Sequence, residues 1–132
     1  MPERIFILGI LITLIIIFQK RFKSGKIRKS LRLPENIRIM DPTLPTVLYF
    51  QTDTCVQCRT SQKPVLKNLE EEIGGFNLVD INAIDSDELT SLFNIKTVPS
   101  TVVFSNDGSS RFINNGFADK DELLKQLEEA KN

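Results

Sequence analysis

Apolar residues are distributed in three ways along this chain: one unbroken run, short runs bounded by turn residues, and recurrences at helical spacing. The unbroken run is Ile5 to Phe18, IFILGILITLIIIF, which carries no charge and only Thr13 as a mildly polar position. The short runs begin at Thr46 to Gln51, TVLYFQ, which lies between Pro45 and a polar TDT and predicts a buried strand. NLVDIN (Asn77 to Asn82) alternates as a strand, and STVVFS (Ser100 to Ser105) predicts a second buried one. Asn106-Asp107-Gly108 supplies hairpin-turn chemistry, with Arg111 to Asn115 as the return strand. NIRIM, Asn36 to Met40, is expected to add a short edge strand.

Helical spacing dominates elsewhere. Val65, Leu66, Leu69 and Ile73 recur near the 3.6-residue period, which predicts a helix over Val56 to Ile73, bent by Pro64 and stopped by Gly74-Gly75. Ser86 is placed to cap a short helix through Phe93, with Asp87 and Glu88 in its first turn. Asp119 and Glu122 form an N-cap pair before a last helix whose Leu123, Leu124 and Leu127 mark a buried face. Strand and helix alternate at first and a hairpin follows, so the expected fold is α/β, a mixed central sheet flanked by helices.

Charge is segregated behind a net value of zero. Lys20, Arg21, Lys23, Lys26, Arg28, Lys29 and Arg32 follow the apolar run with no acid among them. Leu33 to Asn132 then carries sixteen Asp plus Glu against nine Lys plus Arg, a net of −7. An acidic domain repels phosphate, so no nucleic-acid partner is expected. A basic collar beside an apolar run suits an anionic lipid surface instead. The run ends in QKRFK without a small-residue cleavage site, which argues against a signal peptide, and it has no polar face, which argues against a core helix. Extended over Pro2 to Phe22, with flanking charges reaching outward, it reads as a transmembrane helix. The division expected is an anchor over 1–22, a basic linker over 23–42 and a folded domain over 43–132. Cations after the segment outnumber those before it, which places the C-terminal domain on the cytoplasmic face of a cell membrane, with the extracytoplasmic face as the alternative.

The chain has two cysteines and no histidine, so histidine-based catalysis and histidine-ligated metals are excluded. Cys55-Val56-Gln57-Cys58 lies just after a predicted buried strand, at the start of a predicted helix. Cysteines three apart on a first helical turn bring their sulfurs within bonding range. Free N–H groups at a helix N-terminus stabilise a thiolate. Cys55 at the mouth is the expected attacking sulfur and Cys58, one turn deeper, the resolving one. Half a zinc site and two core cysteines are the competing readings. Structural zinc takes four ligands and this chain owns two cysteines, and the flanking Thr52-Asp53-Thr54 and Gln57 are too polar for core. Asp53 and Arg59 read as solvated surface charges.

The segment VLYFQTDTCVQC, followed by Ile95 to Phe104, IKTVPSTVVF, resembles thioredoxin over about Thr46 to Ala130. In that family a dithiol starts a helix after a central strand, and a cis-proline before another strand packs beside it. The resemblance gives that place to Val98-Pro99 and gives Gly116 the place of a glycine near the dithiol; both would contribute to substrate binding. It implies a shortened thioredoxin-like fold, because no room exists before Thr46 for the family's first helix. It also implies a thiol-disulfide oxidoreductase that acts on protein disulfides, exchanges electrons with a donor or acceptor the sequence does not name, and needs no cofactor or metal; cytoplasmic placement favours the reducing direction. An extracytoplasmic disulfide-handling or cytochrome-maturation role, and a non-catalytic binding module for a membrane partner, are the alternatives. The chain departs from the family at four places. Val56-Gln57 stand where Gly-Pro is frequent, Tyr49 where an aspartate is commonly buried, and Thr54 where tryptophan is frequent. Pro64 comes six after Cys58, one later than usual.

Overall fold

A computed structural model describes residues 2–22, 25–26 and 31–131. Met1, Asn132 and, within the basic collar, Lys23, Arg28 and Lys29 lie outside the described residues. Helix α1 spans Pro2–Phe22, and its apolar side chains from Ile5 to Phe18 are exposed all around. Over Pro2–Gln19 it is long and apolar enough to cross a membrane.

The folded part is built on a five-stranded sheet. Its strands are β1 (Gly25–Lys26), β2 (Thr46–Gln51), β3 (Asn77–Asn82), β4 (Ser100–Phe104) and β5 (Ser110–Asn115), in the spatial order β1-β5-β4-β2-β3. β2 and β3 are parallel and every other neighbouring pair is antiparallel, so the sheet is mixed as the alternation followed by a hairpin predicts. Helix α2 (Lys63–Glu72) connects β2 to β3, α3 (Asp87–Leu92) connects β3 to β4, and α4 (Lys120–Ala130) closes the chain.

The period of two along β2 divides the core. Val47 and Tyr49 face α2 and α4, joining Leu66, Leu69, Val103, Phe112, Leu123 and Leu127. Leu48 and Phe50 face the other side with Val102, Phe104, Ile81 and Phe93. There Phe93, which ends α3, packs edge-on against Phe104 (5.6 Å) and Phe50 (6.4 Å).

Helix ends follow local chemistry in two cases and depart from it in one. Gly74 and Gly75, at φ +55° and +67°, stop α2 in the left-handed region, with the Gly74 N–H donating to Leu69 O at 3.2 Å. The Asp119 carboxylate accepts the Glu122 N–H at 2.9 Å, the expected cap of α4. Ser86 does precede α3, but its side chain makes no cap bond. The expected face of α2 also shifts: Leu66 and Leu69 are buried, Val65 is half-buried and Ile73 is exposed.

NIRIM is not a strand. Ile37 turns inward against the Phe93 side of the core, and its N–H donates to Pro34 O at 3.1 Å. The Asn77 side chain then holds the following turn, accepting the Asp41 N–H at 3.0 Å and donating to Asp41 O at 2.7 Å. The sheet edge along β5 is taken by other residues: Gly25–Lys26, and further on Leu31 and Leu33.

A buried polar pair joins the hairpin to the last helix. Asn114 and Gln126 exchange amide hydrogen bonds at 2.8 and 2.7 Å, and Asn114 Nδ2 also donates to Thr101 Oγ1 at 2.9 Å. Truncating one member strands the other in the core, at a cost of about 1–3 kcal/mol. Asn114→Leu should therefore lower the urea midpoint, and adding Gln126→Leu should recover part of the loss. Equal midpoints for wild type and Asn114→Leu would show that the pair contributes nothing.

Candidate active site

β2 delivers the dithiol. After Gln51 the chain turns through Thr52-Asp53-Thr54, where the Cys55 N–H donates to Thr52 O at 3.2 Å, and it becomes helical at Val56. Cys55 and Cys58 are joined as a disulfide with their Cα atoms 5.3 Å apart. The Cys58 N–H points at the Cys55 sulfur, 3.1 Å away. The two sulfurs differ in access: Cys58 is only 1% exposed, whereas Cys55 is half-buried.

The next turn is wide. Cys58–Gln62 forms a π-helical turn before α2 begins at Lys63, and the Lys63 N–H reaches back five residues to Cys58 O. Proline has no N–H to donate, and its ring clashes with the carbonyl four residues back. One extra residue before Pro64 is absorbed as a π turn, the usual form of a single-residue insertion in a helix. The anticipated bend at Pro64 is thus a widening just before it, and it follows from the proline standing one place late.

The widened turn directs Gln62 into the core, fully buried. Its amide clasps one backbone unit from both sides: Oε1 accepts the Ala118 N–H at 2.9 Å and Nε2 donates to Ala118 O at 3.1 Å. Ala118 follows Gly116, whose φ of +91° favours glycine. Gln62 therefore ties the Gly116–Ala118 segment to the dithiol helix. Sequence reading missed Gln62, and the late proline was the available signal.

Val98-Pro99 and Gly116 reach the same end of the sheet by register. Ser100, the residue after Pro99, pairs with Phe50 of β2 and with Asn115 of β5. The Val98–Pro99 peptide bond is cis and Pro99 is buried. Asp53 and Arg59 are exposed.

Tyr49 lies beneath the dithiol helix, 2% exposed, and its hydroxyl donates to Cys58 O at 3.1 Å. That carbonyl thus receives both the phenol and the Lys63 N–H. Burial, reinforced by the negative charge of Asp80 on the neighbouring strand, pushes the Tyr49 hydroxyl up to about 12. Among the described residues, no group of three or more His, Cys, Asp or Glu side chains is placed to hold a metal.

Tyr49 is the chain's one tyrosine, and there is no tryptophan, so tyrosinate absorbance reports this residue alone. The folded chain should titrate near pH 12 and the unfolded chain near 10. Between those values the unfolded state loses a proton that the folded state keeps, so stability falls as pH rises. Tyr49→Phe should remove that part of the alkaline loss, and Asp80→Asn should lower the folded-state midpoint. A folded-state midpoint at 10 would show that the phenol is not held as described.

The model of a thioredoxin-like domain matches residues 37–131. Similar solved structures include a point mutant of the thioredoxin of Halobacterium salinarum, at 25% identity and a TM-score of 0.59, covering 67% of this chain and 75% of that one. Thioredoxin-2 of the malaria parasite, described as a component of its protein secretion machinery, is 18% identical with a TM-score of 0.60, covering 79% and 99%. The thioredoxin of Fasciola hepatica is 20% identical with a TM-score of 0.59, covering 67% and 83%. No curated protein sequence matches the chain. The last two structures support the fold alone, but the domain match covers most of the chain, with a cysteine pair where the sheet meets its helix: the chain belongs to the thioredoxin-like family.

Proposed function

We propose that this protein is a membrane-tethered thiol-disulfide oxidoreductase that reduces protein disulfides on the cytoplasmic face. The observation that carries the reading is the asymmetry of the dithiol: a half-buried Cys55 whose sulfur receives the Cys58 N–H, and a Cys58 withdrawn from solvent. A sulfur that accepts an N–H bond is better held as a thiolate, the nucleophilic form.

In the reducing direction the Cys55 thiolate attacks one sulfur of the partner's disulfide. A mixed disulfide forms, the partner's S–S bond breaks, and its other sulfur leaves as a thiolate that takes a proton. Cys58 then loses its proton and attacks the Cys55 sulfur. The Cys55–Cys58 bond forms and the second partner sulfur leaves. The partner gains two electrons and two protons; the dithiol loses two electrons and the Cys58 proton, and the other proton is the one Cys55 gave to solvent when its thiolate formed. A second dithiol, the electron donor, restores the starting state by the same exchange in reverse. Pro99 and Gly116, at the same sheet end, supply the surface on which an extended substrate segment lies beside Cys55.

Tethering is supported by α1, whose exposed apolar surface suits lipid, and the cations after it favour the cytoplasmic side for the domain. A reducing compartment suits the direction of electron flow.

Cys58→Ser should trap disulfide substrates covalently on Cys55, and Cys55→Ser should abolish trapping and turnover together. Mild alkylation of the reduced chain should label Cys55 first. Trapping that survives Cys55→Ser, or first labelling at Cys58, would reverse the roles.

The full chain should stay with membranes through a high-salt wash, whereas a chain beginning at Leu31 should be soluble. Release by salt would mean that only the basic collar binds the surface. A C-terminal reporter should read cytoplasmic. An extracytoplasmic reading would overturn the reductase assignment and leave the dithiol exchange standing.

A further inference from the structure

The direction in which the chain joins the sheet constrains what the dithiol end faces. Gly25 pairs with Ile113 and Lys26 with Phe112, antiparallel to β5. Further along the same edge, Leu31 O accepts the Ser110 N–H at 2.8 Å, Arg32 bridges Ser109, and the Leu33 N–H donates to Gly108 O at 2.9 Å. The chain thus moves along β5 from Ile113 toward the β4–β5 turn. β5 itself runs the other way and ends at Asn115, level with Ser100 and Phe50, where the dithiol segment begins. From Gly25 onward the chain therefore runs away from the dithiol side.

Reach narrows the choice. The apolar span ends at Gln19 and α1 at Phe22. Three helical rises and three peptide steps keep Gly25 within about 15 Å of the end of the span. Gly25 lies level with Ile113, Val102 and Leu48, two residues or about 7 Å below the Asn115–Ser100–Phe50 row. In the other direction four residues, about 13 Å, separate Ile113 from Ser109, and the turn projects beyond that. The turn therefore extends at least as far from Gly25 as the tether can reach, which leaves no room for a bilayer past it. The Asn115–Ser100–Phe50 row, from which the dithiol segment starts, lies within that reach.

We infer that the dithiol end of the sheet faces the bilayer, and that the partner is an integral membrane protein presenting a disulfide at the bilayer surface. This rests on the membrane-tethered reading above and narrows its substrate class. Val56 and Phe117, beside Cys55 and Gly116 in the chain, stand exposed at this end and suit an apolar partner surface more than water.

Two labelled full-length chains test the orientation in nanodiscs whose lipid headgroups carry an energy acceptor. One bears a donor dye on Cys55 with Cys58→Ser; the other bears it on Asn106→Cys, in the opposite turn, with Cys55→Ser and Cys58→Ser. Transfer from Cys55 should be about twofold or more higher, given a pole-to-pole difference of roughly 20 Å. Equal or higher transfer from position 106 overturns the orientation. Failure of the full chain to enter nanodiscs overturns the tethered reading and this inference with it. For the partner, single-span peptides carrying one activated mixed disulfide are co-reconstituted with the Cys58→Ser chain. A sulfur at the bilayer surface should react about tenfold faster than one raised on a helical spacer of about 40 Å. Equal rates, or a faster raised peptide, overturn the choice of a bilayer-surface partner.

Discussion

Pro64 cannot donate to a helix, yet it stands six residues after a cysteine that must sit on the first turn of one. The geometry around the dithiol follows from how that conflict is settled. The π turn over Cys58–Gln62 takes up the odd residue, sends the Lys63 N–H to Cys58 O and turns Gln62 inward. Gln62 then fixes both polar groups of Ala118, and with them the approach to α4. Tyr49 adds the second bond to Cys58 O from beneath. Strand β2, the dithiol helix and the segment after β5 are thus tied together through one five-residue turn. Each bond is worth about 1 kcal/mol in net terms, but each also satisfies a buried group whose loss would cost more.

The same arrangement makes the dithiol depend on the backbone more than on charged side chains. The Cys55 sulfur receives the Cys58 N–H, an interaction that strengthens when the sulfur becomes an anion. Tyr49 is unsuited to take a proton from Cys58, because its own proton is committed to the Cys58 carbonyl and its hydroxyl is held strongly neutral. Asp80 is its register partner on β3, but Asp80 is exposed. In the proposed exchange a buried Cys58 must therefore pass its proton to the thiolate released by the partner or to water that enters with it, and the second half of the exchange depends on that transfer.

Much of the fold could be read from apolar period and turn chemistry. TVLYFQ and NLVDIN occupy their predicted strands, Gly74-Gly75 end their helix, and Asp119 caps α4. These are local signals with local causes. The misreadings have non-local causes. NIRIM has the composition of a strand, but Ile37 turns back on Pro34 and finds a place in the core, while Asn77, 36 residues on from Asp41, holds the turn that follows. Gly25–Lys26 carries no strand pattern and pairs only because β5 offers an edge. Asn114 and Gln126 look like surface amides until the register and helix face bring them together. At the site, Cys55 and Cys58 were legible from spacing, whereas Gln62 was hidden because glutamine at a helix position is ordinarily a solvent residue.

The segment that follows α1 also covers one edge of the sheet. β5 would otherwise present a row of unpaired N–H and C=O groups, an invitation to pair with another chain. Gly25–Lys26 and Leu31–Leu33 occupy that row. The opposite edge, β3, is handled by composition: Asp80 and Asn82 are polar, and Asn77 is engaged with the Asp41 turn. A two-residue strand is weak by itself, so its pairing with β5 is sustained by Leu31 and Leu33 packing on the Phe93 side of the core. Gly25–Lys26 and Leu31–Leu33 are therefore part of the sheet's edge, held there by the same pairing and packing that cover the β5 hydrogen-bonding row.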